Sequence, residues 1–185
     1  MKKIILSAVA VMAFGFANAQ DVKFGVKGGL NFANLGGDAD GDGVTSFHVG
    51  ALAEIKLTDK FAVQPELLYS GQGSDFGEGG FDSTLKLSYL NLPIMAKYYV
   101  IDKLSLEAGP QIGFLLSAKN EDEDVKDSFK SVDFGLNFGA GYDFTEHFFA
   151  GVRYNVGLSN IADVPDEADF KTTNGVFSVS VGYKF

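Results

Sequence analysis

Cysteine is absent from this chain, which excludes disulfides and thiolate metal ligands. Histidine is scarce, with only His48 and His147, so the commonest general acid–base group has almost no representatives. Basic residues are in the minority, 15 Lys and Arg against 24 Asp and Glu. That balance argues against nucleic acid as a partner. Outside the first 19 residues no apolar run nears the roughly 20 residues that a spanning helix needs. Glycine-rich stretches lie on strand patterns or in hairpin loops, so none makes a phosphate-binding loop between strand and helix. No cofactor is expected.

What is present begins with Met1-Lys2-Lys3, an apolar run from Ile4 to Phe16, and Ala17-Asn18-Ala19. A charged start, a short apolar core and an Ala-x-Ala site predict a signal peptide over 1–19, cut before Gln20. The remaining domain, 20–185, has 13 basic and 24 acidic side chains once Lys2 and Lys3 are removed, a formal charge of −11.

From Ser131 to Phe144 alternate residues separate completely. Val132, Phe134, Leu136, Phe138, Ala140, Tyr142 and Phe144 fall on one face, and Ser131, Asp133, Gly135, Asn137, Gly139, Gly141 and Asp143 on the other. A period of two makes this a β-strand with an oily side and a small polar side. Open solvent usually faces long charged residues; a face of glycines suits a confined lumen. Lipid outside and a polar interior is the pattern of a transmembrane β-barrel.

The same alternation recurs about eight times, beginning at Val22 and ending at Phe185. Connections of about a dozen residues alternate with connections of about four, as the outer loops and periplasmic turns of such barrels do. The fourth strand is out of phase: Leu85 and Leu87 share one parity, Leu90 to Val100 the other, and a bulge near Ser88 would reconcile them. Phe32, Phe47, Tyr69, Phe134 and Phe177 gather at one rim. Phe24, Phe61, Tyr98, Tyr142, Phe144, Phe148, Tyr183 and Phe185 gather at the other. Two such belts fit the interfaces of a bilayer. The reading is all-β: an eight-stranded antiparallel up-and-down transmembrane barrel, monomeric, in the lipid bilayer of the outer membrane of a Gram-negative cell.

Tyr89-Leu90-Asn91-Leu92-Pro93-Ile94-Met95-Ala96-Lys97-Tyr98, the opening Gly25-Val26-Lys27-Gly28-Gly29-Leu30-Asn31 and Gly139-Ala140-Gly141-Tyr142 resemble the porin-like outer-membrane β-barrel family. That family includes PorT-type proteins and is akin to small OmpA/OmpX-like barrels. The resemblance implies the fold and carries over no catalytic residues. The last strand, ending at Phe185, resembles the signal read by the barrel-assembly machinery, which it implies as a partner.

The expected lumen face collects a polar network of Glu54, Lys56, Glu66, Lys97, Glu107 and Arg153, together with Lys23, Lys27, Gln64, Gln111 and Lys184. Charges confined in a narrow barrel must pair, because an unpaired buried charge is costly. Asp38, Asp40 and Asp42, spaced by Ala39 and Gly41, match the first half of a calcium loop. The loop's twelfth position is Val49 and not Glu. His48 and His147 are expected to be structural, and the protein is not expected to be an enzyme. Pro65, Pro93 and Pro110 fall within neighbouring strands and predict bulges or distortions.

Three functions compete: a structural or surface-interactive role carried by acidic loops, a narrow pore for small solutes, and PorT-like assistance to secretion. A soluble lipocalin-like barrel, apolar inside, is the alternative architecture.

Overall fold

The computed structural model describes residues 22–38, 42–76, 84–120, 123–163 and 171–185. The expected signal peptide and Asp40 lie outside them. The strands are β1 (Val22–Gly37), β2 (Asp42–Lys56), β3 (Phe61–Asp75), β4 (Thr84–Ile101), β5 (Leu104–Asn120), the two-residue β6 (Glu123–Asp124), β7 (Val132–Asp143), β8 (Phe148–Gly157) and β9 (Thr172–Lys184). Short β6 only lines the end of β5. The other eight pair antiparallel with their neighbours, β5 with β7, and β1 pairs with β9 from Gly25–Lys184 to Gly37–Thr172. That last ladder closes the barrel, which therefore has no free edge.

Period-two patterning decides which side faces where. On β7, Phe134 and Phe138 are each 50% exposed while Asn137 between them is 1% exposed. Such a surface is stable only against lipid, and it inverts the lipocalin alternative. The two aromatic belts assemble as ring pairs, Phe32–Phe177 and Phe47–Tyr69 at one end, Phe61–Tyr98 and Phe148–Tyr183 at the other.

The strands run past the membrane at the loop end, so the expected dozen-residue loops are partly strand. Only 38–41 separate β1 from β2. A second correction concerns β4, which keeps a single phase from Leu85 to Tyr99. The register shift does lie beside Ser88, but the extra residue is Leu116 on β5, skipped between the pairs Ser88–Ser117 and Tyr89–Leu115. Leu85 and Leu87 therefore point inward. Beyond the bilayer the inside is again the place where an apolar side chain escapes water.

Prolines leave a milder mark than bulges. The β2–β3 ladder skips from Leu52–Glu66 to Ile55–Val63 around Pro65, and β3–β4 skips from Pro65–Ile94 to Leu68–Asn91 around Pro93. The β4–β5 ladder skips from Pro93–Gln111 to Ala96–Ala108 around Pro110. The offset is the same on either side of each gap. Each proline removes a donor without shifting the register.

At Gly29 on β1 a side chain would have no room, since its Cβ would collide with the carbonyl oxygen of Val179 and the Cα of Ser180 on β9. Gly29→Val is therefore expected to abolish conversion of the refolded chain to the compact form that migrates faster on unboiled gels. A wild-type yield of that form would show that β1 and β9 do not approach this closely.

Candidate functional site

Inward-facing residues fill the barrel in three layers. The layer nearest the short turns is ionic. Asp143 meets Lys184 at 3.0 Å, Lys184 meets Glu54 at 2.8 Å, and Glu54 meets Lys97 at 2.9 Å. Lys97 continues to Glu107 at 3.4 Å, Glu107 to Arg153 at 3.0 Å, Arg153 to Glu66 at 2.9 Å, and Glu66 to Lys27 at 2.8 Å. The result is one unbranched chain of alternating sign, four acids and four bases. Each member comes from a different strand of the closed barrel, in the order β7, β9, β2, β4, β5, β8, β3 and β1.

Hydrogen bonds complete the charges. Arg153 donates to both oxygens of Glu66, at 2.9 Å each, and Gln64 donates its amide N–H to Glu66 Oε1 at 2.6 Å. The Gln64 carbonyl oxygen accepts from Lys97 at 3.2 Å, so one carboxamide bridges the two halves of the chain. Glycines on the β7 wall leave the space: a Cβ at Gly141 would meet Glu107 Oε1 at 2.8 Å, and one at Gly139 would meet the Arg153 Cα at 3.2 Å.

Of the residues expected to form the network, Glu54, Glu66, Lys97, Glu107 and Arg153 come together. Lys56 does not join them; its ammonium lies 5.5 Å from the Tyr99 ring centre. Lys27 and Lys184 were legible as lumen residues by parity. Asp143, on the polar face of its strand by the same parity, joins them although it was not among the residues expected in the network.

Above the ions lies a layer of carboxamides and hydroxyls around a cavity of about 30 Å³, lined among others by Asn31, His48, Asn91, Gln111, Asn137 and Asn155. His48 is buried, 2.8 Å from Asn31 Oδ1 through Nδ1 and 2.9 Å from Ser180 Oγ through Nε2. Asn31 Oδ1 can only accept, so Nδ1 carries the proton and Nε2 accepts from the serine. Ser180, His48 and Asn31 thus stand in the order of a hydrolytic relay. His147 lies at the turn end, stacked on Tyr183 and donating to the Lys184 carbonyl at 2.8 Å.

The third layer is apolar: Leu35, Leu85, Leu87, Tyr89, Leu115, Ala118 and Ile161 pack together, with Phe76, Val125 and Phe129 against them. The β5 bulge is what allows both Leu115 and Ala118 to point inward. Sequence reasoning missed this layer entirely.

The calcium-loop candidate is only partly described. Asp38 Oδ2 accepts the Lys171 backbone N–H at 2.7 Å, and Asp42 begins β2. Among the described residues no three acidic or histidine side chains converge in a metal-holding group.

Comparison with known proteins places this geometry. Residues 17–163 match the family described as outer membrane protein beta-barrel domain. Among solved structures, Neisserial surface protein A superposes with a TM-score of 0.60 at 17% identity, over 88% of this chain and 97% of that one. Ail, the attachment invasion locus protein of Yersinia pestis, does so with a TM-score of 0.55 at 12% identity, over 88% of this chain and 98% of that one. At these identities the likeness is one of fold. No curated protein is a significant match in sequence.

Proposed function

The chain belongs to the outer membrane protein beta-barrel domain family and resides in the cell outer membrane, and from that premise we propose that it works through its loops, around a lumen closed to solutes. The observation that carries this reading is the filling of the interior by three successive layers. An eight-stranded interior is just wide enough for its own side chains, and here the cavity in the middle layer holds about 30 Å³. An ion crossing it would have to break a compensated charge chain and part an apolar cluster.

The same filling argues against catalysis. Ser180 and His48 are 6% and 4% exposed, and a cavity of about 30 Å³ holds a water or two and no ester or amide substrate. The relay serves to hold β1, β2 and β9 together. On this reading the protein is a monomer, not an enzyme, exported by its signal peptide over 1–19 and inserted by the barrel-assembly machinery through the strand ending at Phe185. Acidic residues of the loop end, among them Asp38, Asp42, Asp127 and Asp163, are exposed there. They meet cations, neighbouring surface molecules or host proteins, and attachment, named for Ail, falls within that class.

In planar bilayers the reconstituted protein is expected to give no resolvable unitary conductance; stable channels would favour the narrow pore. Since the chain has no cysteine, orientation can be read from single replacements. Ser128→Cys, in the loop-end turn Lys126–Ser128, is expected to react with an impermeant maleimide on intact cells, while Asp59→Cys, between β2 and β3, does not.

A further inference from the structure

On the outward faces of the described strands, the apolar band carries no charged side chain up to the loop-end aromatic belt. At that level the Tyr69 hydroxyl meets Ser88 Oγ at 3.0 Å, and Ser88 pairs with Ser117 across β4 and β5. The next outward pair is Lys86 and Lys119, directly opposite one another. At a rise of about 3.3 Å per residue and the usual strand tilt, they stand about 5 Å beyond the serine collar. The outward carboxylate of β3, Asp75, lies further out, paired with Thr84.

Like charges directly opposite on a sheet repel, and among the described residues no carboxylate comes within ion-pair distance of either ammonium. Among the described residues neither lysine forms an ion pair or a side-chain hydrogen bond. On the β3 side Lys86 faces Gly73, whose φ of +143° disfavours any residue with a side chain, so no neighbour covers it. On the β6 side Lys119 faces Asp124, whose carboxylate instead accepts the backbone N–H of Lys126 at 3.0 Å. The Lys126 ammonium turns to the carbonyl of the bulged Leu116, at 2.9 Å.

We propose that Lys86 and Lys119 clamp the phosphate of a phosphorylated glycolipid in the outer leaflet. Two ammonium groups at cross-strand spacing match a doubly charged phosphate, and their position is continuous with the lipid-facing band just beneath them. A lipid headgroup is delivered to this height by its own acyl chains, which a free anion is not. The inference rests on the loop end facing outward, and the Ser128→Cys labelling tests that premise separately.

The mature protein, refolded in dodecylmaltoside micelles, would be titrated with bisphosphorylated lipid A while the temperature at which the compact band is lost is followed. Lipid A is expected to raise that temperature in the wild type. Lys86→Ala/Lys119→Ala is expected to need about thirtyfold more for the same shift, whereas the Lys86→Arg/Lys119→Arg pair retains the response. Both variants should show the wild-type compact band without lipid; Lys86→Gln/Lys119→Gln replaces the alanine pair if it does not. Dephosphorylated lipid A should have no effect. An equal response of the alanine pair, or stabilisation by the dephosphorylated lipid, would overturn the clamp. Equal stabilisation by inorganic phosphate would reassign the pair to a free anion and overturn the lipid.

Discussion

Replacing Glu66 with leucine is expected to destabilise the folded barrel by about 3–5 kcal/mol, the range for removing one partner from a buried ion pair. Glu66 has no exposed side-chain surface and serves both Lys27 and Arg153. Without it Lys27 loses its ion-pair partner, Arg153 keeps only Glu107, and Gln64 loses the acceptor of its amide N–H. Urea unfolding in micelles, read by loss of the compact gel band, measures the change. Lys27→Met in the Glu66→Leu background should recover part of it, because the second change removes an uncompensated charge and neighbours of this kind are not additive. A loss below about 1 kcal/mol would mean that water reaches this layer and that the ions act as a surface pair would.

The second large effect is expected at the other end of the lumen. Leu87→Ala should destabilise the barrel by about 2–5 kcal/mol, as truncation of a buried leucine does. Leu87 is 1% exposed and packs within the cluster that includes Tyr89, Leu115 and Ile161. The result bears on phase: were Leu87 on the outward side, its truncation would open no cavity and that contribution would vanish. Leu87→Cys sharpens the reading, since a thiol in the apolar layer should resist maleimide in the folded state and react once urea has opened the barrel.

Most of the fold was legible because one rule, alternation, governs every strand of a barrel between lipid and lumen. On β7 each residue from Val132 to Asp143 lies on the side its parity predicts. The rule failed at Leu85 and Leu87 for a physical reason. Apolar means outward only at the height of the bilayer, and β4 continues beyond it, where the same side chains seek the interior. The bulge that serves them is on the partner strand, out of reach of any reading of β4 alone. For the site, parity identified which side chains enter the lumen but could not identify pairs. Lys27 on β1 meets Glu66 on β3, and Arg153 on β8 crosses to the same carboxylate. Such contacts between strands that do not adjoin exist only in a closed cylinder. The prolines were found where expected, yet they interrupt hydrogen bonding without moving the register, because both neighbouring strands stay pinned on either side of each gap.

The charge chain draws one residue from each of the eight barrel strands, and this gives assembly a parity check. With all eight strands docked its sum is zero, and the loss of any one strand leaves a net charge of one in a medium that will not solvate it. A strand slipped by a single residue would turn its charged member toward lipid and break the alternation on both sides of it. Register errors are thereby penalised electrostatically as well as by lost packing, and a barrel that lacks any one of the eight strands carries an unbalanced interior charge.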